Sequence, residues 1–215
     1  MSSIVLLSGG IDSYTALALS QKRGKEIIAL TFDYNQRNRF EIEASKKICS
    51  CLGIKEHVTI NIESSYTGNS TALNSTNYVQ SQADVVSTYY PARNIIFLSY
   101  ATSLAESKGC SEIIYGCNKE DAQDYPDCRP EFADIFQKMI GVGTHNGKNI
   151  KISTPFIHLT KAEIIQLGIS NDLDYAISQS CYFPKENGKP CLECDSCKLR
   201  GQAFNSINMN DPINE

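Results

Sequence analysis

Short apolar runs rich in β-branched residues alternate along this chain with longer stretches in which apolar residues recur at helical spacing. The runs at 4–7, 26–32, 56–60, 112–115 and 150–154 predict buried strands, and the stretches at 13–22, 39–52, 94–107, 131–140 and 161–167 predict helices. Alternation of this kind predicts an α/β fold, a Rossmann-like parallel sheet flanked by helices on both faces. Pro130 and Glu131 open one helix, and Thr160-Lys161-Ala162-Glu163 has the form of a capping box at the start of another. Residues 61–90 are rich in Ser, Thr, Asn and Tyr with little period, and an insertion of that length usually carries function. Residues 116–129 read as a polar stretch, 145–151 as a loop, and the end of the chain as a cysteine-rich tail.

Composition narrows the picture. With 215 residues and 41% hydrophobic content the chain can build a core of ordinary size. A net charge of −4 and a pI near 5.5 argue against a surface made to neutralise nucleic-acid phosphates, so the expected partner is a small molecule. No apolar segment reaches the length of a membrane span and no secretory start is visible, which leads to the expectation of a cytoplasmic protein. Nine cysteines, an odd number with four of them between 181 and 197, favour metal ligation over disulfides.

Three groups of residues carry candidate chemistry. Ser8, Gly9, Gly10, Ile11, Asp12 and Ser13 lie between a strand and a helix. Two glycines let the backbone approach an anion, the helix directs N–H groups and its positive dipole end at it, Ser8 and Ser13 add donors, and Asp12 can hold magnesium or fix the loop. Cys181, Cys191, Cys194 and Cys197 form C-x9-C-x2-C-x2-C, suited to a structural tetrahedral zinc, with an iron–sulfur cluster and a redox pair as rivals. In an open parallel sheet, ligands sit beyond the carboxyl ends of the strands where their order reverses. If strands 4–7 and 112–115 are neighbours there, the phosphate-type loop and the run Asn118, Glu120, Asp121, Asp124, Asp127 and Arg129 face one crevice. Read alone, that run is either a ligand surface or a solvated loop. Arg93 opens a helix behind Pro91, where a guanidinium reaches a phosphate or carboxylate, and Lys161 stands in a first helical turn, where a cation needs a nearby anion. Arg37 and Arg39 read either as lining the same mouth or as a basic solvated face. Cys49 and Cys51 read as core thiols, Cys117 as the one scattered cysteine near the crevice, and His57, His145 and His158 as structural or exposed.

The chain resembles the 7-cyano-7-deazaguanine synthases, a family of adenylating ATP pyrophosphatases. The matching segments are SGGIDS at 8–13, TFDYNQR at 31–37, ARNIIFL at 92–98, YPDCRPEF at 125–132, the TP and KAE elements within 154–163, and CLECDSCKLR at 191–200. The resemblance implies a pyrophosphatase domain over 1–168 and a zinc-binding region over 169–215 packed on it. It implies ATP with magnesium held by Ser8, Gly9, Gly10, Asp12 and Ser13, and catalysis by Asp12, Arg93 and Lys161. It further implies a 7-deazaguanine carboxylate bound by Asn118, Asp121, Tyr125, Asp127 and Arg129, ammonia as second substrate, zinc on the four cysteines, and pairing of two copies.

The chain departs from the family's pattern at several positions. YGQRH becomes Tyr34-Asn35-Gln36-Arg37-Asn38, a glycine is replaced by Ala92, and SGYPDC becomes Gln123-Asp124-Tyr125-Pro126-Asp127-Cys128. These positions are expected near the substrate mouth. They motivate an alternative in which the activated acid stops at an amide or is passed to a protein amine. A tRNA sulfur-transfer enzyme and a non-enzymatic nucleotide-binding module are further alternatives.

Overall fold

In strand β1 (Ser2–Leu6), Ile4 and Leu6 point to one side of the sheet while Val5, with Leu7 just beyond the strand, points to the other. β2 (Glu26–Asp33) repeats the division, with Ile28, Leu30 and Phe32 on the first side and Ile27 and Ala29 on the second. The period of two sorts an unbroken apolar run into two cores, as a strand covered on both faces requires. The structure, a computed structural model, describes residues 2–62, 73 and 86–214. Apart from its few described residues, the insertion read at 61–90 lies outside them.

The remaining elements are α1 (Ile11–Lys22), α2 (Phe40–Leu52), β3 (Glu56–Asn61), α3 (Arg93–Lys108), β4 (Glu112–Ile114), α4 (Asp121–Asp124), α5 (Pro130–Gly143), β5 (Lys151–Ser153), α6 (Lys161–Ile169) and α7 (Asp195–Ser206). The five strands are all parallel in the order β3-β2-β1-β4-β5. Helices α3 and α5 cover the core built on Ile4, Leu30 and Ile113, while α1, α2, α6 and α7 cover the core built on Val5, Leu17, Ile164 and Phe204. The order reverses between β1 and β4, paired Ile4↔Ile113 and Val5↔Ile114, so the two loops expected to share a crevice do lie at the switch point.

The capping box forms as expected: Glu163 N donates to Thr160 Oγ1 and Thr160 N to the Glu163 carboxylate. Helices α4 and α7 were not expected. α4 is one turn with Ala122 its single apolar residue, and α7 buries Arg200 beside Ala203 and Phe204, so neither shows an apolar stripe of helical period. Arg200 is fully engaged. It makes a bidentate pair with Asp211 at 2.7 and 2.8 Å, and it donates to Ser178 Oγ and the Tyr175 carbonyl at 2.8 and 2.9 Å. A buried guanidinium is tolerated only when so satisfied, and here it ties α7 to the segment before it and the one after. Cys51 is exposed, correcting its reading as a core thiol, whereas Cys49 is buried.

Two departures from the family's pattern have a backbone explanation. Asn35 and Ala92 have φ of 60° and 56°, the left-handed region in which glycine is unstrained. Asparagine tolerates that region, but alanine is strained there. Ala92→Gly is expected to raise stability by about 0.5–1 kcal/mol, the released strain exceeding the added freedom of the unfolded chain. Urea unfolding checks this, and a lower midpoint would show that the Ala92 methyl is held by favourable packing.

Candidate functional site

Gly9 has φ +92°, and a Cβ there would sit 2.4 Å from the Glu41 carbonyl oxygen. Only glycine lets the loop after β1 pass α2 so closely. On the far side Gly116, just beyond β4, faces the backbone of Asp12 and Ser13, with room for a Cβ only 2.9 Å from the Asp12 carbonyl carbon. The N-terminus of α1 is thus held between two strand ends. Ser8 and Ser13 hydroxyls are 3.0 Å apart, Ser8 N donates to Ser13 Oγ at 3.2 Å, and Gly10 N is 3.3 Å from Ser8 Oγ. This is a preformed turn of donors at a helix N-terminus, suited to phosphate.

Beside the turn, Lys161 Nζ lies 2.6 Å from Asp12 Oδ2, which also accepts from Asn118 Nδ2 at 3.0 Å. The cation expected to need an anion has found one. Burial opposes the Lys161 charge, but Asp12 and Asp121 outweigh it and raise its pKa. Asp121 is pushed up to about 6 by burial, Lys161 drawing it down and Asp12 pushing it up. Asp12 Oδ1 is buried with no hydrogen-bond partner among the described residues, an oxygen available to a ligand. Glu120 accepts from Lys161 N and so holds the start of α6.

The opposite wall is aromatic and carries one cation. Arg93, at the first position of α3, has its guanidinium 5.9 Å from the centre of the Tyr125 ring and is surrounded by the phenols of Tyr34, Tyr125 and Tyr182. Phe32 and Phe97 stack at 4.1 Å in the same wall. Glu41 lines the cavity too; burial pushes its carboxyl up to about 8, although Arg93 and a hydrogen bond with Asn38 pull it down. Cys117 and Cys128 also line the cavity, and burial raises both thiols above the ordinary range.

The third wall comes from the tail. The sulfurs of Cys181, Cys191, Cys194 and Cys197 lie within 4.8 Å of one another. Cys191 N donates to Cys181 Sγ, and Glu193 N and Cys194 N donate to Cys191 Sγ; burial raises the Cys191 thiol, but these donors bring it down to about 7. The arrangement is that of a metal site. Gln179 N donates to the Gly9 carbonyl at 2.8 Å and Asn38 Nδ2 to the Cys181 carbonyl at 2.6 Å, so the cysteine cluster is fastened to the phosphate-type turn. Ser180, Tyr182 and Ser196 complete the cavity wall.

Of the residues singled out from sequence, Ser8, Gly10, Asp12, Ser13, Arg93, Asp121, Tyr125 and Lys161 line one cavity. Gly9 shapes the turn behind it. Asn118 is fully buried and orients Asp12, while Asp127 accepts from Asn94 N at 2.9 Å and holds the start of α3. Arg129 is exposed and donates to the Ala122 carbonyl; the structure does not bring it, Asn118 or Asp127 to the cavity wall. Arg37 and Arg39 do not line the cavity either. Arg37 lies over the Phe183 ring at 4.8 Å, and Arg39 is paired with Asp33 at 2.6 and 2.8 Å. Nor do Asn35, Asn38, Ala92, Gln123 and Asp124 line the cavity. Glu41, Tyr34, Tyr182 and Ser196 were missed. An acid in the first turn of α2 was the one available signal for Glu41, because aromatic and serine positions in a loop carry none.

Residues 2–208 match the family model described as "Queuosine biosynthesis protein QueC". The chain is 42% identical over 220 residues to 7-cyano-7-deazaguanine synthase of Syntrophus aciditrophicus, covering 98% of this chain and 95% of that protein. It is 43% identical over 231 residues to the protein of that name from Leptospira biflexa, covering 98% and 92%. Among solved structures, NMN synthetase from Francisella tularensis superposes with a TM-score of 0.54 at 17% identity, covering 97% of this chain and 78% of that one. A 4-thiouridine synthetase solved with RNA and ATP gives 0.51 at 19%, covering 95% and 53%. Those two likenesses establish the shared fold.

Proposed function

The chain belongs to the QueC family of queuosine biosynthesis proteins, and on that basis we propose that it converts 7-carboxy-7-deazaguanine and ammonia to 7-cyano-7-deazaguanine at the expense of ATP. The observation that carries the reading is a single cavity at the β1–β4 switch point, with a phosphate-type turn and Lys161 at one end and Arg93 among phenols at the other.

A carboxylate is a poor electrophile until one of its oxygens becomes a leaving group. Its oxygen attacks the α-phosphorus of ATP bound at Ser8–Ser13, and pyrophosphate leaves. The ammonia lone pair then attacks the acyl carbon, AMP departs with that oxygen, and loss of a proton gives the amide. In a second cycle the amide oxygen attacks another α-phosphorus and pyrophosphate leaves; loss of both N–H protons then expels AMP and leaves the nitrile. Lys161 faces the charge that develops on the phosphates, and Arg93 draws the substrate carboxylate into line. Tyr34, Tyr125 and Tyr182 exclude water around it.

Magnesium bound with ATP would be held by Asp12, whose Oδ1 has no partner among the described residues, and by Asp121, both hard oxygen donors. It would neutralise phosphate charge. We assign zinc to the four cysteines: with Zn–S near 2.3 Å a tetrahedron places sulfurs about 3.8 Å apart, and Cys191 and Cys197 are separated by 3.9 Å. Four protein ligands make that site structural. Incubation of the pure protein with the acid, ATP, magnesium and ammonium is expected to yield nitrile, with AMP and pyrophosphate each formed in about twofold ratio to it because each of the two activations splits one ATP. Product that stops at the amide would overturn the reading.

A further inference from the structure

The cavity holds one carboxylate that the chemistry above leaves without a task. Glu41 reaches it from the first turn of α2, and Arg93 reaches it from the first turn of α3 on the other face of the sheet. The two side chains interact electrostatically but form no direct ion pair within 4.0 Å. Asn38, whose Nδ2 donates to the Cys181 carbonyl and whose Oδ1 accepts from Phe40 N, fixes the turn that leads into Glu41. An acid and a cation therefore face one space from different elements, and no ion pair joins the two among the described residues.

Two planar heterocycles must enter this cavity, and their edges differ. The six-membered ring of 7-deazaguanine presents N1–H and a 2-amino group side by side, two donors that match the two oxygens of a carboxylate. Adenine presents the N1 acceptor beside its 6-amino donor, so an ionised carboxylate meets one donor and one repelled lone pair there, against two donors on the deazaguanine edge. The far side of the deazaguanine acid, with its 7-carboxylate and O6, offers only acceptors and suits a guanidinium. Building on the function proposed above, we infer that Glu41 is the specificity residue for the deazaguanine ring, accepting from N1–H and the 2-amino group while Arg93 takes the acceptor side. Two donated hydrogen bonds also supply what the cavity denies Glu41, stabilising its charged form against burial.

The test pairs a change in the protein with a change in the ligand. Glu41→Gln is expected to raise the KM for 7-carboxy-7-deazaguanine about 10- to 100-fold, as for loss of a charge-assisted pair, with the KM for ATP held within about threefold. Wild-type protein should disfavour the 2-desamino analogue by a similar factor, and Glu41→Gln should lose that discrimination. A raised KM for ATP with that for the acid unchanged would assign Glu41 to the nucleotide and overturn the inference. So would equal use of acid and analogue by the wild-type protein, a result that needs no variant to fold. If wild-type protein forms no nitrile, the function proposed above fails instead. Calorimetric binding of acid and analogue to wild type then still decides the role of Glu41, with equal affinities counting against it.

Discussion

Lys161→Met is expected to lower kcat about 100- to 1000-fold, the usual loss when one preorganised donor to a developing oxyanion is removed. Its Nζ is the sole cation paired with Asp12 among the described residues, and it stands where the turn Ser8–Ser13 meets the cavity. The loss should appear in both half-reactions, in pyrophosphate release with the acid and again with the amide supplied as substrate. The KM for the acid should change far less, since Arg93 and not Lys161 faces the substrate carboxylate. Methionine keeps the length of the side chain, and Lys161→Arg separates charge from position by retaining only the former. A melting curve guards against loss of fold, because Asp12 and Asp121 are left without their cation. A kcat within about threefold of wild type would remove Lys161 from the chemistry.

Stripping the metal, or Cys194→Ser, is expected to cost on the order of several kcal/mol, because structural zinc in small closed sites stabilises the fold around it by at least that much. Elemental analysis should find one zinc per chain in the wild type and none in the variant. Turnover should fall with stability rather than independently of it, since Gln179 and Cys181, the residues fastened to Gly9 and Asn38, run directly into the cysteine cluster. A zinc-free protein that keeps both its melting temperature and its turnover would show that the tail is held by other means, chiefly the Arg200–Asp211 pair.

The sheet was legible from sequence because its central strands are buried on both faces and so read as plain β-branched runs, Ile4 to Leu7 and Ile27 to Phe32. The turn at Ser8–Ser13 and the four cysteines were legible because their spacing is itself the chemistry. Lys161 was legible by its anomaly, a cation in a first helical turn, though its partner Asp12 was not, since the pair spans 149 residues. What stayed hidden depends on side-chain direction. Asn118 and Asp127 look like ligand residues in a polar run, yet they turn inward to orient Asp12 and to hold the start of α3. Arg129 sits in the same run and turns outward. The changed positions at Asn35 and Ala92 looked like substrate contacts, whereas they answer to backbone conformation.

The fastening of the tail to the phosphate-type turn has a kinetic consequence. Thr15 Oγ1 meets the Tyr175 hydroxyl across 160 residues of chain, and Asn38 meets the Cys181 carbonyl across 143. Contacts of such separation pay their loop-closure entropy before they return any stabilisation, so they form late in folding. The sheet and its first helices can assemble from nearer neighbours, but the cavity has no third wall until the distant segment docks. A chain arrested before that step would hold nearly all its secondary structure and have no competent site.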